Sequence, residues 1–149
     1  KPNPVTFVSV LNACSHVGLL DSGQAYFEVM SNGHCGMNPC IEHYISIIDL
    51  FGRAGQVENM FEMVENMPFH PNSVTWHAVL GACRKWGNMD LGRVAFEHAT
   101  VLDEKHVAAY VCMLNIYAVA YIQENAEQEL NCVHMEFRNV IQAQDQWPS

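Results

Sequence analysis

The chain has few basic residues and lacks the patterns that mark enzymes and metal centres. Seven Lys and Arg residues stand against sixteen Asp and Glu among 149 residues, giving a formal net charge of −9. No two of the six cysteines are separated by two residues, a spacing that many zinc sites use. No phosphate-binding glycine loop, His-Glu-x-x-His or Ser-His-Asp pattern is present. The sequence therefore predicts no enzyme, no metal and no cofactor, and its charge disfavours strong binding of nucleic acid by these residues alone.

Long hydrophobic runs are also missing. No eighteen consecutive residues are all apolar, so we predict that no segment spans a membrane. Half of the residues are nevertheless hydrophobic, enough for one domain with an apolar interior.

One tripeptide resembles a catalytic motif. His134-Met135-Glu136 matches the His-x-Glu half of the zinc-deaminase signature, but the Pro-Cys-x-x-Cys half is missing. The tripeptide also lies within a helical apolar pattern. We therefore interpret it as a coincidence.

What the chain does have is an apolar pattern that occurs four times. In each copy an aromatic anchor is followed by apolar residues three, four and seven positions later, which places one stripe on one side of a helix. The anchors are 37, 32 and 34 residues apart, a period typical of stacked helical hairpins. The copies are Phe7-Val10-Leu11-Cys14, Tyr44-Ile47-Ile48-Phe51, Trp76-Val79-Leu80-Cys83 and Tyr110-Met113-Leu114-Tyr117.

Glycine and proline separate the helices of these copies. A glycine stands eleven residues after each of the first three anchors, where a helix end needs a left-handed residue. A proline stands five residues before each of these anchors. These residues are Gly18, Gly55 and Gly87, and Pro2, Pro39 and Pro71. The unit is thus helix, glycine turn, helix and proline break.

The pattern predicts an all-α solenoid of antiparallel hairpins stacked in a right-handed superhelix. We expect one helical-repeat domain over 1–149, a fragment of a longer array, with its anchors and stripes mostly buried. The predicted repeats are about 4–40, 41–72, 73–106 and 107–143. The predicted helices are near 4–17, 20–32, 41–54, 57–67, 73–86, 89–102, 107–119 and 122–143. In the fourth copy Tyr121 replaces the glycine, and 107–143 contains no glycine or proline, so the alternative to a hairpin is one long helix.

Several runs resemble plant-type pentatricopeptide repeat proteins, in which long and short repeats alternate. They are Val5-Thr6-Phe7, Asp49-Leu50-Phe51-Gly52-Arg53-Ala54-Gly55, Glu65-Asn66-Met67-Pro68, Gly81-Ala82-Cys83-Arg84-Lys85 and Asn115-Ile116-Tyr117-Ala118. The resemblance covers about residues 1–120. The segments beginning at 73 and 107 look like the two extension motifs that follow the last true repeats.

The resemblance implies contact with single-stranded RNA at one base per repeat. It assigns base selection to the pairs Val8 with Cys40, Ile45 with Asn72, and His77 with His106, and a wedge against the base to Val5 and Val74. Arg84 belongs to a local basic cluster that would contact phosphate, next to Trp86, which either stacks on a base or caps a helix end. Val8 and Ile45 depart from the hydrogen-bonding residues of selective members, and Glu42, also at a wedge position, would repel phosphate.

Two functions of different class follow. In the first, the chain is the C-terminal part of an organellar RNA-processing factor that specifies C-to-U editing in a mitochondrion or chloroplast. Its extension motifs would then hold a deaminase-bearing or editing-factor partner. In the second, it is a protein–protein interaction scaffold whose residues do not contact RNA. The acidic balance favours the second for this fragment, and the resemblance favours the first for the whole protein.

The cysteines indicate a reducing compartment. Cys14 and Cys83 occupy the stripe position at which Phe51 stands in another copy, so we predict that both are core residues.

Overall fold

Seven helices and no strand occur in the residues that the computed structural model describes, which are 3–33, 36–102 and 107–145. The first six helices form three hairpins, and the sequence predicted both ends of each to within one residue. They are α1 Pro4–Val17, α2 Leu20–Ser31, α3 Ile41–Arg53, α4 Val57–Asn66, α5 Ser73–Trp86 and α6 Met89–Leu102, and they are followed by α7 Val107–Asp145. The chain divides into two compact units, residues 1–116 and 117–149.

Helices of the first unit pack against their nearest neighbours along the chain. α1 contacts α2 and α3, α3 contacts α4 and α5, and α5 contacts α6. Among α1 to α6, contacts stay within one hairpin or between consecutive hairpins. This nearest-neighbour packing is that of a helical solenoid, so the predicted fold class is confirmed.

Aromatic rings join one hairpin to the next. In each case a phenylalanine from the second helix of one hairpin meets the aromatic anchor of the following copy. The pairs are Phe27–Tyr44 at 5.1 Å, Phe61–Trp76 at 6.3 Å and Phe96–Tyr110 at 5.1 Å between ring centroids. The first and third pairs are edge-to-face, a geometry that stabilises aromatic pairs beyond the area they bury.

The first helix of each of the three hairpins is followed by the glycine turn that the sequence predicted. Gly18, Gly55 and Gly87 all have left-handed backbone, with φ of 81°, 80° and 69°. At the other end, the side-chain oxygens of Asn3 and Asn72 accept hydrogen bonds from the backbone three residues later and cap α1 and α5. Glycine turns and asparagine caps therefore fix where the helices stop and start.

The stripe is mostly buried in the first three copies and only partly buried in the fourth. Leu11, Ile48 and Leu80 have no exposed surface, and Cys14 and Cys83 are buried as predicted. In α7, by contrast, Ala109, Met113 and Ile116 are buried, whereas 45% of Tyr110 and 67% of Leu114 are exposed. The prediction that the fourth anchor is buried is therefore wrong. In the first three copies a second helix folds back on the first, and in α7 the chain runs straight on.

The second unit, 117–149, consists in its described part of the remainder of α7. The predicted division into helices 107–119 and 122–143 is wrong, because a single helix runs from Val107 to Asp145. Tyr121 has replaced the turn glycine, so no residue that readily adopts left-handed backbone interrupts the helix. The long-helix alternative is the one that forms.

Part of α7 is long and apolar enough to cross a membrane, judged by length and composition. This segment is Val107–Gln128. Ala109, Met113 and Ile116 within it are buried at the helical spacing of a packed stripe. A single such segment is weak support for a membrane span, and 17% of its apolar 18-residue window is buried.

Candidate nucleic-acid interface

A groove of about 480 Å³ lies between α3 and α5. Its floor is built from residues with small or absent side chains, which lets the two helices approach closely. A Cβ atom added at Gly52 would lie only 2.8 Å from the Cβ atom of Ala82. The lining residues are Asp49, Gly52, Arg53, His77, Ala78, Gly81, Ala82, Arg84 and Lys85.

The charges that line this groove are mainly positive. Arg53, Arg84 and Lys85 line it, and Asp49 is its single carboxylate. Nε of Arg53 lies 2.8 Å from Oδ2 of Asp49, and the hydroxyl of Ser15 in α1 donates to the same oxygen at 2.5 Å. Asp49 is thereby neutralised. Among the residues that the structure describes, Arg84 makes no ion pair, so its guanidinium is available to an anionic ligand.

Lys85 and Trp86 complete the C-terminal end of α3. The ammonium of Lys85 donates to the carbonyl of Arg53 at 2.9 Å, and the indole N–H of Trp86 donates to the carbonyl of Gly52 at 2.7 Å. Both carbonyls lie at the C-terminal end of a helix, where positive charge and additional donors are favoured. The interpretation of Trp86 as a helix cap is confirmed, although 49% of its surface remains exposed.

Two of the residues predicted to select bases are helix N-caps. Oδ1 of Asn72 accepts hydrogen bonds from the backbone N–H and the hydroxyl of Thr75, both at 3.0 Å. Its carbonyl oxygen is therefore committed to α5, and its amide group is the part left to contact a base. Cys40 is the N-cap of α3.

Cys40 is held by a buried histidine. His43 is fully buried, and its Nε2–H donates to the carbonyl of Pro4 at 2.9 Å, so its Nδ1 accepts from the backbone N–H of Cys40 at 3.1 Å. The Cys40 thiol lies 2.8 Å from the same Nδ1. Burial and a hydrogen bond to Glu42 raise the pKa of Cys40, and this bond lowers the pKa of Glu42. The thiol therefore stays protonated and the Glu42 carboxylate ionised at neutral pH.

The predicted RNA-contacting residues are divided between the groove and other places. His77 and Arg84 line the groove, and Nδ1 of His77 lies 2.6 Å from the carbonyl of Ser73. The others described do not line it. Val5 and Val74 are exposed, Val8 and Ile45 are half-buried, and Cys40 and Asn72 are the caps described above. His106 lies outside the described residues. That Val5, Asn72, Val74, His77 and Arg84 share one face stays a prediction.

Sequence reasoning missed the partners of the basic cluster. Asp49 and Arg53 are four residues apart in a helix, a spacing that signals an ion pair, and that signal was present in the sequence. The hydroxyl of Ser15 could not be assigned to the same carboxylate, because 34 residues separate them.

The described residues show no group of three His, Cys, Asp or Glu side chains that could hold a metal ion. Cys14, Cys40, Cys83, Cys112 and Cys132 are free thiols. Burial raises the pKa of Cys83 to about 11, so this thiol is a packing group rather than a nucleophile.

Comparison with protein families and curated proteins shows where the repeats lie. Residues 5–35 and 42–69 match the PPR repeat model. A pentatricopeptide repeat-containing protein of Arabidopsis thaliana is 40% identical over 134 residues, which are 90% of this chain and 16% of that protein. Another from the same plant, named as chloroplastic, is 43% identical over 120 residues, 80% of this chain and 14% of its own length. The chain spans 14–22% of the length of the first eight such relatives.

Among solved structures, the crystal structure of the pentatricopeptide repeat protein PPR10 from maize is similar in fold. The TM-score is 0.69 at 19% sequence identity, over 97% of this chain and 21% of the maize chain. At this identity the likeness shows the solenoid fold alone.

Proposed function

Because the chain belongs to the pentatricopeptide repeat family, we propose that it binds single-stranded RNA through the groove between α3 and α5. It does so as the C-terminal part of an organellar RNA-processing factor that specifies C-to-U editing sites. The observation that carries this is the groove itself, in which the Arg53–Asp49 ion pair leaves the charges of Arg84 and Lys85 in excess, in a chain of net charge −9. Phosphate is the ligand that such a lining attracts.

Within the groove, the side chains divide between phosphate and base. Arg84 has no ion-pair partner in the described part of the chain, so its guanidinium contacts phosphate regardless of sequence. The imidazole of His77 is half-buried in the same lining and contacts a base edge or face. The Asn72 amide, which lies outside the groove lining at the start of α5, adds base preference.

The proposed location in the cell and the proposed protein partner both follow from membership of the family. One similar Arabidopsis protein is named as chloroplastic, which supports an organelle, a mitochondrion or a chloroplast, as the location. The extension motifs, from 73 and from 107, serve as a platform for a deaminase-bearing or editing-factor protein. The exposed Tyr110 and Leu114 of α7 support a protein contact there, since large apolar side chains favour burial.

The test is RNA binding by paired arginine variants of the full chain, measured with a random single-stranded RNA pool over a range of salt concentrations. Arg84→Gln removes the free guanidinium of the groove, and Arg93→Gln removes an exposed arginine of α6 outside it. We expect Arg84→Gln to weaken binding to all sequences alike and to reduce the salt slope by about 0.7 for one lost phosphate contact on a single strand. Arg93→Gln should leave both unchanged. Equal effects of the two changes would refute this groove as the RNA site.

Base selection is tested separately by Asn72→Ser. Serine also caps helices, so α5 keeps its start while the amide is lost. We expect a changed base preference with unchanged thermal stability. An unchanged preference would remove Asn72 from the base-selecting set.

A protein scaffold without RNA contact is the second candidate. The apolar Val8 and Ile45, which cannot hydrogen-bond a base edge, support it, together with the acidic balance of the chain. Absence of RNA binding by the wild-type chain at low salt would favour it.

A further inference from the structure

A second groove, of about 840 Å³, lies on a different side of α5, between α4 and α6. It shares no lining residue with the groove between α3 and α5. Its floor is Trp76, whose ring stacks on His98 with centroids 4.2 Å apart and planes 4° from parallel. The groove is therefore formed by stacked hairpins of the first unit, with an aromatic pair at its base. Its apolar walls include Val64, Met67, Phe69, Val94, Val101 and Leu102.

Helix α6 presents a second apolar stripe to this groove. Its small residues Ala95 and Ala99 are fully packed in the core. Its larger ones, Val94, Val101 and Leu102, lie at positions i, i+7 and i+8 and are 37%, 84% and 52% exposed. An amphipathic helix has one such stripe when it only covers a core, and a second stripe beside a groove is typical of a helix-binding surface.

The charges around the groove indicate what occupies it. Glu65 is the acidic residue in its lining, and Glu97 on α6, next to the lining residue His98, is exposed. No Lys or Arg lines the groove, and α4 contains none. RNA phosphate is repelled by such a rim. A second copy of this chain, which also carries −9, is disfavoured as well.

We propose that this groove binds an amphipathic helix of a partner protein, with Leu-type side chains on one face and Lys or Arg beside them. The inference locates the protein partner of the proposed function and names its chemistry, and it rests on that part of the proposal. It does not depend on RNA binding, because the two grooves use different residues.

The experiment uses the full chain and two fluorescent 20-residue peptides. The first has leucine at helical spacings i, i+3, i+4 and i+7 with lysine on the flanks, and the second has glutamate in place of each lysine. Binding is measured by fluorescence anisotropy. The test variant is Val101→Ser with Leu102→Ser, both exposed in the groove. The matched control is Val17→Ser with Leu19→Ser, which are similarly exposed and lie outside the groove.

We expect the wild-type chain to bind the lysine peptide in preference to the glutamate peptide. The groove double variant should weaken this binding by on the order of tenfold, since central apolar anchors dominate such interfaces. The control should bind like wild type. Glu65→Gln should weaken binding of the lysine peptide and reduce its salt dependence.

Four results would overturn the inference. They are no binding of the lysine peptide, equal binding of both peptides, equal weakening by the two double variants, and displacement of the peptide by single-stranded RNA, which would make the groove an RNA site. RNA binding by the groove double variant separates the proposals. If it matches wild type while peptide binding falls, both stand, and if wild-type RNA binding is absent, the RNA proposal alone fails.

Discussion

The closest approach between α3 and α5 gives a sharp test of the stacking geometry. In Gly52→Ala the new Cβ atom would lie 2.8 Å from Ala82 Cβ and 3.1 Å from Met60 Sδ. Two carbon atoms prefer a separation of about 3.5–4.0 Å, and neither Cβ atom can rotate away, so the helices must move apart by about 1 Å. Overpacking of this kind costs about 1–3 kcal/mol, whereas removing a glycine from a helix gains up to about 1 kcal/mol.

Gly81→Ala is the matched control, because Gly81 lies in α5 and an added Cβ atom would meet nothing within 4 Å. We expect it to raise the free energy of unfolding by about 0.5–1 kcal/mol. For Gly52→Ala a central overpacking cost of about 2 kcal/mol, less a glycine gain of up to about 1 kcal/mol, should lower it by about 1 kcal/mol, so two identical changes differ in sign. Urea denaturation followed by circular dichroism measures both. Equal stabilisation by the two substitutions would show that α3 and α5 are not in close contact.

Three further changes test the core and the caps. Leu80→Ala, at a fully buried position, should lower the free energy of unfolding by about 2–5 kcal/mol, and a measured loss below about 1 kcal/mol would show that the stripe is in the wrong register. Asn72→Ala should lower the free energy of unfolding by about 1 kcal/mol through loss of the α5 cap, whereas Asn72→Ser should keep the wild-type value because serine also caps helices. Equal stability of the two variants would show that the cap does not stabilise α5. Native-state alkylation at pH 8 should modify exposed Cys132 quickly and Cys83 slowly, and equal rates would contradict burial of Cys83. Because the folded pKa of Cys83 is raised to about 11, its contribution to stability is complete below pH 9 and is lost as pH rises from 9 to 11.

The first three hairpins could be predicted because each signal was local. A stripe at helical spacing, a glycine in left-handed backbone and an asparagine cap act within one or two turns of chain. Gly87, for example, ends α5 by the geometry of its own residue. The close approach at Gly52 could not be predicted, since it depends on where α5 lies relative to α3. The same holds for His43, which links the start of α3 to Pro4 across 39 residues.

The fourth copy shows where a repeat pattern stops determining structure. Tyr110 and Leu114 keep the apolar pattern, yet they are exposed. A stripe is buried only if another helix covers it. In the first three copies a turn glycine lets that helix fold back, and in the fourth copy Tyr121 stands in its place. The presence of the turn residue, rather than the stripe, therefore decides whether a copy becomes a hairpin.

Charge segregation explains how an acidic chain can present a positive groove. Arg53, Arg84 and Lys85 lie in the last turns of α3 and α5, where unpaired carbonyls and the helix dipole favour cations. Glu58, the first-turn acid of α4, lies where the dipole favours anions, and Glu62 and Glu65 extend its acidic face. The three basic residues line the groove between α3 and α5, whereas Glu65 lines the groove between α4 and α6. The net charge of −9 therefore describes the whole chain but neither groove, which is why we propose ligands of opposite charge for the two grooves.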